Sequence, residues 1–327
     1  MSNFTFRPAT RENVGLIVGL SGSSGSGKTF SAMRLAAGIA GDKPFAVIDT
    51  EAGRAKHYAD RFRFDHGDLK PPFRPATYNE AIRAADEAGY PAIVVDSMSH
   101  VWAGEGGILD WHEEELTRMA EDDWKKREAC KMAAWVQPKM MHRAMVGRLL
   151  QIRAHLILCF RAEPKIEMVR GKDGKMEVRA KQTLTSLDGW IPICEKNLPY
   201  ELTASFLLMA EKPGMPLPIK LQEQHKALFP LDQVIDEKSG AALAAWAAGA
   251  TAAQPQAAPQ DNFKTMLAEF AKLKAILPAK VYYDVLGNYG VEHSNEFRDM
   301  KAARGCFAEL KLRLRDAGKE GFTMTPG

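Results

Sequence analysis

The sequence predicts an α/β fold, a mostly parallel central sheet flanked by helices, followed by a small C-terminal all-α unit. Three observations predict it. Short apolar runs recur at 15–20, 45–49, 92–96 and 155–160, each beside a stretch of helical periodicity. That alternation is what a parallel sheet with crossover helices requires. Residues 22–29 read GSSGSGKT, set between the first apolar run and an Ala-rich amphipathic stretch at 29–40. Finally, GATAAQPQAAPQ at 249–260 has no charge and two prolines, so it reads as a linker before a helical tail region.

Each element follows in order. The run at 15–20 is a strand and feeds the glycine-rich loop. The run at 45–49 is a second strand, ending Asp49-Thr50-Glu51. Residues 79–88 form a short helix that Gly89 stops. The run at 92–96 is a third strand, Ala-Ile-Val-Val-Asp96, followed by Ser97. Residues 105–153 are rich in helix formers, and Pro138 is expected to split them. The run at 155–160 is a fourth strand, leading into Arg161-Ala162-Glu163. Alternating residues at 165–169 and 176–180, around an Asp-Gly turn, predict a hairpin. Strands at 202–209 and 217–221 and a helix at 237–248 complete the main domain. Beyond the linker, Phe263, Met266, Leu267, Phe270 and Leu273, then Phe307, Leu310, Leu312 and Leu314, give the helical unit its apolar face. The expected division is 1–248, linker 249–260, helical unit 261–319 and tail 320–327.

Composition sets bounds. A chain of 327 residues, 46% hydrophobic and 26% charged, can bury a sizeable core unaided. Its net charge of +3 carries no global nucleic-acid signal, so any such binding must be local. The four cysteines are scattered without a C-x-x-C pair, and the histidines lack ligand spacing, which excludes a zinc site of the usual kind. No segment reads as a signal peptide or membrane span, so a reduced, cytoplasmic location is expected and no membrane partner.

The chemistry is concentrated at strand ends. Gly22, Ser23, Ser24, Gly25, Ser26, Gly27, Lys28 and Thr29 fit G-x-x-x-x-G-K-[ST] at every fixed position. Glycines let successive amides turn toward a phosphate, and the helix N-terminus adds partial positive charge there. Lys28 supplies a full charge to the β/γ-phosphates of ATP, and Thr29 a hydroxyl for Mg²⁺. Asp96, at the end of a buried strand, suits the second Mg²⁺ anchor. Glu51 emerges at another strand end, placed to polarise an attacking water. It can instead start the following turn or pair with Arg54. Asp49 is better placed to brace the loop.

A phosphate loop, a strand ending I-D-T-E and a third ending V-V-D-S resemble the RecA/RadA recombinase core over residues 14–235. They also resemble the short phage-encoded RecA-like ATPases of single-strand annealing. The resemblance implies a RecA-like P-loop ATPase with Glu51 as catalytic base. Lys28, Thr29 and Asp96 take the phosphate and magnesium roles. It implies single-stranded DNA as partner, held by segments matching 97–107 and 161–187, in a bacterial host cytoplasm. The second segment carries Lys165, Arg170, Lys172, Lys175, Arg179 and Lys181. It is read either as a phosphate-contacting hairpin or as a solvated one. The family's γ-phosphate-sensing amide pair is missing here. Arg161 either senses phosphate by charge or pairs with Glu163 or Glu167. Phe6-Arg7-Pro8-Ala9 and Phe73-Arg74-Pro75-Ala76 share the F-x-x-A form by which recombinase subunits dock, which raises self-association. Lys220 and Lys226 are candidates to complete a neighbour's site. Phage recombination and single-strand-binding proteins are further expected partners. The competing readings are a RecA-like helicase, helicase loader or DNA motor, and an ATP-gated binding module.

Overall fold

In the computed structural model, the structure describes residues 15–170, 176–180, 189–249, 263–297 and 299–319. Backbone contacts divide the chain into two compact units, the division falling between residues 253 and 254.

The first unit runs β1 (Ile17–Gly22), α1 (Lys28–Ala40), β2 (Phe45–Asp49), β3 (Phe64–Asp68), α2 (Pro75–Glu87) and β4 (Ala92–Asp96). Then come α3 (His100–Ala103), α4 (Ile108–Ala120), α5 (Trp124–Ala134), α6 (Val136–Leu149) and β5 (His155–Pro164). A hairpin, β6 (Ile166–Arg170) with β7 (Met176–Ala180), precedes β8 (Trp190–Pro192), α7 (Leu198–Glu201), β9 (Ala204–Met209), β10 (Lys212–Lys220) and α8 (Glu237–Ala247). The main sheet has the order β10-β9-β1-β5-β4-β2-β3, with β8 added to the end of β5. Its pairs are parallel except β9–β10 and β5–β8. In this order β5 lies between the loop-bearing β1 and the Asp96-bearing β4. The carboxyl ends of β1, β2, β4 and β5 therefore open on one side, where an open α/β sheet binds ligands.

The strand period of two sorts side chains onto two cores. Val18, Leu20, Val47, Val94, Ile157 and Cys159 pack under α1 and α8. Ile17, Ala46, Ile48, Ile93, Val95 and Leu158 pack under α2 and α6. Burial on both faces explains why these strands read as continuous apolar runs.

Helices α1 and α8 cross at two glycines. A Cβ built on Gly38 would lie 2.0 Å from the Glu237 carbonyl oxygen, and one on Gly240 2.1 Å from that of Leu35. The bidentate pair of Arg34 with Glu237, Nε to Oε1 and Nη2 to Oε2, sits beside this crossing. Gly38→Ala and Gly240→Ala are each expected to cost about 1–3 kcal/mol through overpacking. Urea midpoints check this, and the double variant should lose less than the sum because both changes widen one interface.

Pro138 lies in the first turn of α6, where its missing amide costs little, and α5 ends at Ala134 just before it, so the helical region divides next to Pro138 as expected. Several elements differ from expectation. A further break falls at Glu121–Asp123, where Asp123 caps α5, while at Trp135, between α5 and α6, the backbone keeps helical angles. The edge strand β3, Phe-Asp-His-Gly-Asp, is largely exposed and gives no apolar run to read. Strand β5 continues past Phe160 to Pro164. Phe73 is buried against His100 and Tyr78 and so is no exposed docking anchor. Phe6 and the linker from residue 250 onward lie outside the described residues.

The second unit contains α9 (Phe263–Ile276), α10 (Ala279–Asn288) and α11 (Met300–Lys319). Phe270, Leu273, Tyr282, Leu286, Phe297 and Leu310 form its core. Leu312, counted in the apolar face by sequence, is half exposed. No helix among the described residues is long and apolar enough to cross a membrane.

Candidate active site

The loop between β1 and α1 is shaped by its own polar atoms. Ser26 is fully buried, and its hydroxyl donates to the Ser23 carbonyl at 2.8 Å. Gly27 caps α1 at φ 84°, a left-handed conformation in which an L side chain would be strained. The Gly214 amide, from β10, donates to the Ser26 carbonyl at 3.1 Å and fixes the loop from outside. The first amides of α1 have no acceptor within the helix, which makes this end an anion cradle. Lys28 Nζ donates to the Ser23 carbonyl at 2.7 Å. Burial lowers its pKa, opposed by the nearby carboxylates of Asp96 and Glu51.

Thr29 and Asp96 meet directly, the Thr29 hydroxyl donating to Asp96 Oδ2 at 2.6 Å. Asp96 is almost fully buried, and burial pushes its carboxyl up to about 6 against the Thr29 bond and the charge of Lys28. A hydroxyl beside a carboxylate is an all-oxygen donor set, the hard chemistry that Mg²⁺ takes. The residues present therefore fit that ion, with Thr29 and Asp96 holding it.

The end of β2 is braced from two directions. Asp49 accepts from the Glu51 amide at 2.6 Å, from the Ala55 amide at 2.9 Å and lies 3.2 Å from His66 Nε2. The Thr50 hydroxyl accepts from the Ser97 amide at 2.7 Å and lies 2.7 Å from His100 Nδ1. Burial, then the charge of Arg161, lowers the His100 pKa, so a neutral ring can accept from Thr50. Tyr78 adds a hydrogen bond to the Ser97 carbonyl at 3.0 Å. This network ties the ends of β2 and β4 together. Thr50, Tyr78, Ser99 and His100 went unread in the sequence. The short spacing from Asp96 to Ser99 and His100 was the only local signal.

Glu51 is held by two arginines. Arg161 donates to its Oε1 at 2.8 Å, and Arg54 to its Oε2 at 2.7 Å. Burial would raise the Glu51 carboxyl, but the Arg161 hydrogen bond and the charges of Arg161 and Arg54 prevail and hold it low. Arg161 thus pairs with Glu51, not with Glu163 or Glu167. Its backbone is registered against Gly22, and its amide donates to Ser99 Oγ at 2.9 Å. One side chain therefore reaches from the loop-flanking strand to the water-activating candidate. Arg161→Ala should lower hydrolysis about tenfold at neutral pH. It should also move the acid limb of the rate profile to higher pH. A base works only when ionised, activity falls as pH drops through its pKa, and Arg161 is the main group depressing that pKa. An unmoved limb would rule out Arg161 as the group that holds Glu51 ionised.

The basic hairpin is only partly described. Lys165 lies 3.9 Å from Glu163. Arg170 and Arg179 are placed in β6 and β7, while Lys172, Lys175 and Lys181 lie outside the described residues. Ile166, Met168 and Met176 are exposed. They fall on one face of the hairpin by register, together with Arg170 opposite Met176, so that face presents apolar residues beside a cation. Lys220 donates to the Tyr200 and Leu202 carbonyls, and Lys226 pairs with Glu223, so both are engaged within their own chain. The Glu113–Glu115 run faces arginines, with Glu113 paired to Arg127 and Glu115 to Arg118. No cluster of three or more metal-ligating side chains occurs among the described residues.

A glycine-rich strand–loop–helix with lysine and threonine, faced by an aspartate two strands away, defines a P-loop nucleotide-binding protein. The chain belongs to the AAA domain family AAA_24, which it matches over residues 15–196, and is thus an AAA-type ATPase domain. No curated protein matches it. Among solved structures it is similar to a KaiC-like protein from the hyperthermophilic archaea Pyrococcus horikoshii OT3, at 14% identity. That match covers 54% of this chain and 84% of the other, with a TM-score of 0.26, too low to carry an argument.

Proposed function

We propose that the protein is a Mg²⁺-dependent ATPase that acts on single-stranded DNA in phage-type recombination or annealing. The observation that supports hydrolysis is the Glu51 carboxylate, held ionised at the strand end next to the Thr29–Asp96 pair. Lys28 and the loop amides bind and orient the phosphates and stabilise charge that develops on them. Glu51 orients a water and takes up its proton. When bound, Mg²⁺ supplies Lewis-acid polarisation of phosphoryl oxygens. Both oxygens of Glu51 are engaged by arginines, and that favours an ATP-gated binding module as the second reading. The DNA assignment is supported by the strand that carries Arg161 running directly into the basic hairpin, which gives DNA a path to the Arg161–Glu51 pair. Single-strand-binding proteins and further copies of the chain are proposed partners.

The test is ATP hydrolysis by the full chain with Mg²⁺, with and without single-stranded DNA at low salt. Several-fold stimulation is the expected result. DNA that neither binds nor changes turnover would overturn the recombination reading and leave the ATPase reading standing.

A further inference from the structure

We infer that the exposed face of α5 and α6 is a second binding surface for single-stranded DNA, separate from the β6–β7 hairpin. The inference rests on the single-strand reading above. Residues 124–150 contain seven Lys or Arg and one acid, Glu128. The hairpin segment 161–187 has as many cations, but Glu163, Glu167, Asp173 and Glu177 offset them. The helices, not the hairpin, thus form the more basic stretch.

These cations are also available. Arg127 is taken by Glu113 and Lys131 by Glu128. Lys125, Lys126, Lys139, Arg143 and Arg148 are exposed and have no carboxylate partner among the described residues, with Lys125 lying 5.8 Å from the Trp124 ring and Lys139 5.1 Å from that of Trp135. A folded chain that leaves five cations unneutralised on one helical hairpin arm presents a field suited to a polyanion. Lys125, Met132, Val136, Lys139 and Arg143 follow one another at spacings of seven, four, three and four, and Met140 lies four from Val136 and three from Arg143, spacings that put residues along one helix face. Trp135, at the junction, keeps right-handed helical angles, φ −75° and ψ −18°, so the row continues from α5 into α6. The opposite face, Pro138, His142, Met145 and Leu149, is buried.

The apolar members of the row decide which polyanion. Met132 is 80% exposed, Val136 66% and Met140 53%, and Trp124 at the start of α5 is 70% exposed. A duplex hides its base faces and would meet only the cations. A single strand offers unstacked bases to the indole, methionine and valine surfaces while its phosphates meet Lys139 and Arg143. The row spans about 27 Å of helix, long enough for several nucleotides.

The experiment is fluorescence anisotropy of a labelled oligo-dT of about 30 nucleotides with the full chain at about 50 mM salt. Wild type is compared with Lys139→Glu/Arg143→Glu and with Met132→Ser/Met140→Ser. A thermal melt checks the fold of each variant. The charge reversal is expected to weaken binding at least about tenfold. It should also flatten the salt dependence by about 1.4 in log–log slope, because two phosphates are no longer neutralised. The serine variant should weaken oligo-dT binding and leave binding to a duplex of equal length unchanged. If wild type binds oligo-dT and the charge reversal binds equally, with an unchanged salt slope, this inference is wrong and the hairpin reading survives. If the serine variant binds like wild type, the surface does not read single strands. If wild type itself does not bind, the single-strand reading fails with it.

Discussion

Glu51→Gln is expected to lower steady-state ATP hydrolysis on the order of 10²–10⁴-fold while leaving nucleotide affinity within a few-fold of wild type. The argument rests on position and charge. The Glu51 amide is pinned by Asp49, and its carboxylate oxygens by Arg54 and Arg161, so the side chain has a fixed orientation. A glutamine keeps the shape and loses the ability to take a proton. It also loses both ion pairs, but Arg54 and Arg161 are more than half exposed, and exposed pairs contribute about 0–1 kcal/mol. The fold should therefore melt within a few degrees of wild type. Loss of turnover with retained binding and retained fold would assign the residue to the chemical step. Turnover like that of wild type would sink the assignment of Glu51 as base.

The legible part of this protein is the part written in contiguous residues. The phosphate loop, the apolar runs of β2 and β4, and the carboxylates that end them are local patterns whose physics needs no partner. Burial on both faces makes such strands conspicuous. What stays hidden depends on pairing across the sheet. Arg161 and Glu51 are 110 positions apart and meet because only β4 lies between β5, which carries Arg161, and β2, which Glu51 follows. Sequence alone offers Arg161 only the nearer acids, Glu163 and Glu167, as partners. The Thr50–Ser97–His100 network is hidden for the same reason, since polar side chains announce a hydrogen bond but not its partner. Edge strand β3 lacks a signal because an exposed strand need not be apolar. The basic row on α5 and α6 is masked by the acidic α4 just before it. Along the sequence its cations average with Glu113, Glu114 and Glu115, and only burial and ion pairing separate the helices.

Lys28→Ala is expected to remove both binding and turnover, with hydrolysis lowered on the order of 10²–10³-fold and nucleotide affinity weakened with it. The electrostatics of the site require this. Glu51 and Asp96 approach the loop from the ends of β2 and β4, close enough to act on Lys28. A triphosphate must approach these carboxylates, and Lys28 is the cation on the phosphate side of them, acting with the partial charge of the α1 N-terminus. Burial weakens its hold on the proton, and Asp96 and Glu51 oppose that only in part. Without the ammonium, the helix end would face Glu51, Asp96 and a polyanion, and partial charges of that kind contribute about 0.3–2 kcal/mol. The loss should show in a nucleotide titration before any assay of turnover. That outcome separates it from Glu51→Gln, which binds and does not turn over. The fold should be little affected, because the hydrogen bond removed, to the Ser23 carbonyl, lies at a partly exposed loop where water can replace it. Nucleotide affinity equal to that of wild type would mean that the loop amides alone bind the phosphates. Lys28 would then act only on charge that develops during hydrolysis.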